Sequence, residues 1–279
     1  MTPSHHEPSP GAGEVADHYV SGYEAERLAS GSGRIERERT RHLLTRFLPA
    51  APATVLDVGG GPGGHALWLA ARGYRVHLLD VVPLHAQLAL AGSRRQPDAP
   101  LAGATVGDAR ALPWDAGTAD AVLLFGPLYH LTAADDRQAA LREAHRVLRP
   151  EGVLLAVGIS RFASLFDGLR YGYLRDPAFA AIVERDLRDG QHRNPTGHPA
   201  YFMDTFFHHP DELRAEVAAA GFDVRDVYGV EGPGWLAGDL DAWWENPENR
   251  ERLLRVAGAV ETEPTLLGVS AHLMAVAER

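Results

Sequence analysis

Two spacings of apolar residues alternate along the chain: short continuous runs bounded by turn residues, and longer stretches with apolar positions three and four apart. The first marks buried strands and the second marks helices with one face inward. Residues 55–58 (VLDV) form an apolar run that breaks into a glycine cluster, and residues 65–72 (HALWLAAR) then carry helical spacing. A second strand is predicted at 75–80, entered through Gly73, a third at 104–109 and a fourth at 121–125. A helix over 135–148 and a fifth strand at 152–159 follow. A helix at 211–220, a strand at 222–230, a helix around 240–257 and a last strand at about 266–277 complete the pattern. Upstream, 14–48 reads as helix in two pieces broken at 30–33. Strands alternating with helices imply an α/β fold: a Rossmann-like, doubly wound, mostly parallel sheet with helices on both faces.

The chain is accordingly expected to divide into a disordered tail (1–13), an N-terminal helical lid (14–50), a core (51–159), a cap (160–210) and the completion of the core (211–279). The tail is rich in Pro, Ser, Gly and His, and its adjacent His5 and His6 read as solvated rather than metal-binding. The cap segment is too long for a simple connection and holds aromatic-rich stretches. No internal repeat is visible.

The glycine cluster, VLDVGGGPGG, is the most informative stretch. Gly59, Gly60, Gly61 and Gly63 let the backbone turn tightly and approach a ligand with no Cβ in the way. Ligands in such sheets sit at the carboxyl ends of the strands. The second strand ends on Asp80, whose carboxylate can accept both hydroxyls of a ribose. The third ends in Asp108 and Ala109, and a carboxylate there can accept a hydrogen bond from an adenine amine. With Val81, Phe125 and Gly126 these residues frame one crevice that suits an adenosine ligand. The pattern GxGxxG is also met by Gly59, Gly61 and Gly64, so a nicotinamide-dependent oxidoreductase stays open on the loop alone.

Composition narrows the classes. The chain has 279 residues and a formal charge of −10, which disfavours a nucleic-acid backbone or an anionic membrane as partner. It has no Cys, excluding disulfides, thiolate metal sites and cysteine nucleophiles, and no Lys, excluding Schiff-base chemistry. No apolar stretch is long enough to span a bilayer, and no signal-peptide core is visible, so a cytoplasmic protein is expected. Composition leaves monomer and homodimer open, and no metal is expected.

In order along the chain stand VLDVGGGPGG, Asp80, GDARALPW from Gly107, ADAVLLFGPLYHL from Ala119 and LREAHRVLRPEGVLLAV from Leu141. Together they resemble the class I S-adenosylmethionine-dependent methyltransferases. The resemblance runs from about residue 19 to the end and is strongest over 54–158. It implies S-adenosyl-L-methionine as cofactor, S-adenosyl-L-homocysteine as product, and a seven-stranded sheet whose last strand is antiparallel. It implies that Asp57 supports the methionine end of the cofactor, which leaves the nicotinamide reading with no task for Asp57 or Asp108. It also places the loop GPLYHL beside the transferable methyl group. Tyr129 and His130 are therefore candidates for catalysis, or else simply start the next helix.

The family closes an N-terminal helix over its cofactor. By that likeness Tyr23 and Glu24 are catalytic candidates and Tyr19 and Arg27 acceptor contacts, although Glu24 and Arg27 also fit a solvated i, i+3 pair. Glu36, Arg39 and Thr40 resemble the family's following helix, with a structural role. His198, Tyr201, Phe202, Phe206 and Phe207 are expected to line an acceptor pocket, with cap packing as the alternative. His208 and His209 read as opening the next helix, Trp235, Trp243 and Trp244 as core, and His272 as a core histidine.

The acceptor is narrowed by what is missing. The loop after the fourth strand reads FGPL, without the polar first residue of the amino-methylating DNA enzymes, and Gly126 cannot join an acid cluster for a catechol metal. A small-molecule acceptor under an aromatic cap remains, an electron-rich ring such as an indole, or an N- or O-nucleophile. A non-catalytic relative that only binds the cofactor is the other alternative.

Overall fold

The computed structural model describes residues 31–279. After α1 (Gly31–Phe47), β1 (Thr54–Val58) leads to α2 (Gly64–Ala70), β2 (Arg75–Asp80) to α3 (Pro83–Arg94), and β3 (Gly103–Val106) to β4 (Ala119–Phe125). A short helix, α4 (Pro127–His130), and α5 (Ala134–Val147) precede β5 (Leu148–Ser160). An inserted segment supplies α6 (Ala163–Tyr171), α7 (Pro177–Asp189), β6 (Gln191–His192) and β7 (Thr205–His208). The chain then runs through α8 (Pro210–Ala219), β8 (Asp223–Gly229), α9 (Leu240–Glu245), α10 (Pro247–Ala259) and β9 (His272–Glu278).

The sheet holds the order β3-β2-β1-β4-β5, continued by β9 and then β8. β1 to β5 pair in parallel, whereas β9 is antiparallel to both β5 and β8. The expected seven strands are present, and two more join them. β7 extends β5 in parallel at Ile159 and Ser160, and β6 pairs with β7, giving nine strands in all. These two arise inside the insertion, where four- and two-residue strands are too short for a legible period of two.

Helices on both faces explain the uninterrupted apolar runs, because every side chain of a central strand is covered. Leu56, Val58, Val122 and Leu124 pack on one face with Leu141 and Leu213, while Val55, Ala121 and Leu123 pack on the other with Leu44 and Leu69. The alternation follows from successive side chains pointing to opposite faces of a strand. The inserted segment has its own small core of Phe179, Ile182, Val183 and Tyr201. Its closing turn is fixed by buried Asp186, which accepts from the Ser164 hydroxyl at 2.6 Å and bonds His192 Nδ1 at 2.8 Å.

Several boundaries move. The helix break expected at 30–33 is helical where it is described, since α1 begins at Gly31 and includes Gly33, while Ser30 lies outside the described residues. The helix expected over 240–257 is two, because Asn246 caps α10 just before Pro247. The last strand starts at His272 rather than near 266, after a short helical turn at Leu267–Val269. The tail and the first lid helix are expected within residues 1–30, which lie outside the described residues.

α1 is tied to the far end of the sheet by charge as well as packing. Ile35, Leu43 and Leu44 are buried, and between them Arg39 is sealed in, donating to the Val230 carbonyl at 3.2 Å and pairing with Glu261. Arg46 reaches the same carboxylate at 2.5 Å. Removing one partner of a buried ion pair costs about 3–5 kcal/mol because the other is stranded. Arg46 leaves Glu261 a partner, so Arg39→Met is expected to lower stability by less than that, about 1–3 kcal/mol, in urea denaturation; a change within about 0.5 kcal/mol, usual for surface substitutions, would show that packing alone holds α1.

Candidate active site

The carboxyl ends of β1, β2 and β4 meet at the glycine loop. Gly59 has φ +77°, and a Cβ placed on it would stand 2.5 Å from the Phe125 carbonyl oxygen and 2.6 Å from Pro127 Cδ. A side chain there would force the β1–α2 loop away from the β4–α4 loop. Gly61, also left-handed at φ +55°, is the opposite case, for its absent Cβ meets no protein atom within 4 Å. One glycine is required by the protein itself, and the other opens space above the loop.

Three acids surround this loop. Asp57 is 1% exposed, and neither carboxylate oxygen has a hydrogen bond of good geometry, the Ala66 backbone N–H being the one group that steadies its charge. Burial, and then the neighbouring Asp80 charge, push its carboxyl up to about 7. Asp80 is buried and well satisfied, accepting from Gly61 N–H and Val82 N–H at 2.8 Å each and bonding His85 Nδ1 at 3.1 Å. It thus fixes the loop's shape from the tip of the neighbouring strand. Asp108 lies beyond the end of β3, which stops at Val106, and Arg110 grips its carboxylate, with Nη2 at 2.6 Å. That hydrogen bond holds the Asp108 carboxyl below its ordinary range. Any adenine amine must share Asp108 with Arg110, which also pairs with Asp136 at 2.9 Å.

A single cavity of about 610 Å³ runs over these groups. Asp57, Gly59, Gly60, Gly61, Asp80, Val81, Asp108, Ala109, Phe125, Gly126, Tyr129 and His130 all line it. Gly63 is not in the lining: it sits in the turn at φ +90°, packed on Ala89. Tyr129 and His130 belong to α4, a four-residue helix of their own, with their rings 4.7 Å apart.

The cap aromatics go elsewhere. Tyr201 packs on Phe179 within the inserted core, and His198 is exposed and stacks on Tyr201 at 4.3 Å. Phe207 stacks on His192, Phe206 lies under the Arg137 guanidinium, and Phe202 is near His192. None of the five lines the cavity. The physical reason is that this segment must bury an apolar face of its own, and its aromatics serve that need. His208 is likewise buried against Glu216, and His209 caps α8. Trp235 is buried with its indole N–H on the Val269 carbonyl, and Trp243 and Trp244 pack with Ile35 and Leu253. Tyr19, Tyr23, Glu24 and Arg27 lie outside the described residues.

In place of the cap, α1 and the end of the sheet complete the cavity. Glu36, Arg37, Thr40 and Arg41 line it from one helical face, joined by His65, Val230 and His272. The spacing 36, 37, 40, 41 was a visible signal, as it is one side of a helix. His65 had none, being one polar residue in an apolar helix. Its Nδ1 is sealed without a partner, and burial, reinforced by Arg41, pushes the imidazole down to about 4, so it stays neutral near pH 7.

The profile of the Methyltransferase domain family matches residues 56–156. Demethylmenaquinone methyltransferase of Mycolicibacterium gilvum (strain PYR-GCK) is 32% identical over 204 residues, covering 71% of this chain and 79% of that protein. The ubiquinone/menaquinone biosynthesis C-methyltransferase UbiE of Caulobacter vibrioides (strain NA1000 / CB15N) is 29% identical over 206 residues, 68% of this chain and 76% of that protein. Among solved structures, a Methanosarcina mazei S-adenosylmethionine-dependent methyltransferase superposes with a TM-score of 0.57 at 19% identity, covering 85% of this chain and 96% of that one. The [4+2]-cyclase SpnF superposes at 0.62 with 18% identity and 98% of both chains. This chain belongs to the class I S-adenosylmethionine-dependent methyltransferases. Its cofactor is S-adenosylmethionine, which the open loop and the under-satisfied Asp57 carboxylate fit, since the methionine end carries an ammonium group. No helix among the described residues is long and apolar enough to cross a membrane.

Asp57 gives the site a pH signature. Its folded value of about 7 lies above its ordinary value of 3.8, so its contribution to stability is complete below about pH 4 and is lost as pH rises through 7. Thermal melts of ligand-free protein should show Asp57→Asn gaining on the wild type between pH 5 and pH 8. Parallel melting profiles would mean that Asp57 ionises as an ordinary surface acid.

Proposed function

We propose that this enzyme methylates a ring carbon of a flat, hydroxylated aromatic acceptor of the quinol type. Asp57 takes the cofactor's ammonium group, Asp80 its ribose hydroxyls, and Asp108 with Ala109 and Val81 its adenine. Phe125 and Gly126 back the sulfonium. The observation that carries this reading is that one cavity has both the Asp80 loop with Arg95 and the groups Tyr129, His130 and His272 in its lining. One space thus receives an adenosyl group and a second, flat molecule, in the size range of ordinary ligand sites, about 300–1,000 Å³. Relatives named for menaquinone and ubiquinone biosynthesis support a quinol over an indole.

Bound S-adenosylmethionine supplies an electrophilic methyl group: the ring carbon's electron pair forms the new bond as the sulfur–methyl pair withdraws onto sulfur. The chain's part is alignment, worth on the order of 7–11 kcal/mol at best. Leu131, Val157 and Val230 give the acceptor end its apolar walls. Tyr129 and His130 stand where they can orient an acceptor hydroxyl. No residue of the 160–210 segment lines the cavity, and its aromatics serve the segment's own core rather than the acceptor.

Incubation with methyl-labelled S-adenosylmethionine and a panel of naphthoquinols, benzoquinols, indoles, phenols and amines tests the acceptor. A ring-methylated quinol is expected, and product only on nitrogen or on an indole would sink the quinol reading. Asp80→Ala is expected to weaken S-adenosylhomocysteine binding at least tenfold, from two hydrogen bonds of about 0.5–1.5 kcal/mol each and a loosened loop. Gly61→Ala should stay folded, at a backbone cost of about 1–2 kcal/mol, yet bind the same ligand poorly. Calorimetry showing wild-type affinity in both variants would move the cofactor off this loop.

A further inference from the structure

Beyond the glycine loop, the cavity ends in a second titratable cluster built by parts of the chain remote from it. Because β9 runs antiparallel, its first residue, His272, arrives opposite Ile159 at the carboxyl edge of β5. β8 ends at Gly229, opposite Leu273, and the chain turns through Glu231 just beyond. There Glu231 Oε1 stands 2.6 Å from His272 Nδ1. Its Oε2 accepts from the His272 N–H and the Ser270 hydroxyl, both at 2.9 Å. Ser270 Oγ is itself held by the Glu231 and Gly232 N–H groups at 3.1 Å each. Glu231 is 2% exposed, whereas His272 reaches the cavity lining. Glu36 of α1 brings Oε2 to 3.8 Å from the same Nδ1, and Asp167 of α6, beside Arg170, acts on the ring through space.

We infer that His272 is the general base of the reaction, and that Glu231 is the residue that positions it. The inference rests on the proposed C-methylation of a hydroxylated ring. A buried carboxylate on Nδ1 fixes which nitrogen carries the hydrogen. With N–H on Nδ1, the lone pair sits on Nε2, the nitrogen that can take a proton. The proton displaced when the new carbon–carbon bond forms leaves the acceptor for Nε2. The resulting imidazolium is paired with Glu231, with Glu36 as a second negative charge nearby. His65 cannot serve as well, because its imidazole is held down near 4, far from the operating pH. Glu36, Glu231 and His272 also gather three ligand atoms within 4.8 Å, as a cation site would. Glu231 already spends both oxygens on His272 and Ser270, which favours the proton over the metal.

The test combines turnover with a readout that needs no acceptor. Nitrogen-15 NMR of the full chain bound to S-adenosylhomocysteine, followed across a pH titration, should show the neutral form of His272 with its hydrogen on Nδ1. Glu231→Gln should abolish that single tautomer while leaving S-adenosylhomocysteine affinity within about threefold. An Nε2–H tautomer in the wild type overturns the proposal whether or not an acceptor has been found. With the acceptor from the panel, His272→Gln should cut kcat by about 100-fold or more, at the low end of what a general base contributes, with KM changed little. Glu231→Gln should lower kcat and shift the acidic limb of its pH profile, and Glu231→Asp should recover part of the loss. Normal turnover by His272→Gln, a larger loss from His130→Gln, or activity removed by a chelator and restored by Mg²⁺ would each refute it. Wild type forming no ring-methylated product in the panel, with the Nδ1–H tautomer present, would instead fault the acceptor assignment.

Discussion

The approach of two backbones, at Gly59 and Phe125, sets the geometry on which the site depends. A carbonyl oxygen lies 2.5 Å from where a Cβ would be, so the β1–α2 and β4–α4 loops can touch only if residue 59 has no side chain. That contact holds Asp57, the Asp80-braced loop and α4 around one space. Gly60 repeats the constraint at 2.7 Å from Asp57 Oδ2. The cavity is in this sense a consequence of main-chain packing, and its side chains are mounted on a frame that tolerates little adjustment.

Electrostatics then divides the cavity. At the loop end one acid is satisfied by backbone N–H groups, while the other has little to steady its charge and feels the first acid's charge as a further cost of ionising. Such an arrangement is unfavourable for the empty protein and favourable once a cation arrives, as expected where a fold gives up stability for binding. At the opposite end the carboxylate is fully engaged and the imidazole beside it is ordered by that engagement. Equally buried acids thus have opposite uses, set by whether local donors reach them.

The sheet was legible because its strands are covered on both faces and so carry unbroken apolar runs between glycines and acids. The cofactor end was legible for a related reason: glycines at 59–61 and acids at strand tips are each forced by local backbone geometry. The acceptor end was not. Tyr201, Phe206 and Phe207 looked like pocket walls because an aromatic gives no sign in sequence of which apolar surface it will join. His272 and Glu231 are far from the loop in sequence, and only the reversal of β9 brings them to the same edge. Glu36 and Thr40 were visible as a helical face, but their destination depends on Arg39 and Glu261, a pair more than two hundred positions apart.

Sheets of this family have a common frame, and function must be argued from the groups fixed to it. In β9 that division can be drawn within one residue. The main chain of His272 is paired in the ladder opposite Ile159, while the residue also lines the cavity. The peptide unit is held by the ladder and the imidazole by the Glu231 carboxylate, so position 272 is a socket whose occupant is matched by residue 231. Lineages could exchange the reagent there, imidazole for hydroxyl, amide or carboxylate, and explore new acceptors without renegotiating the sheet.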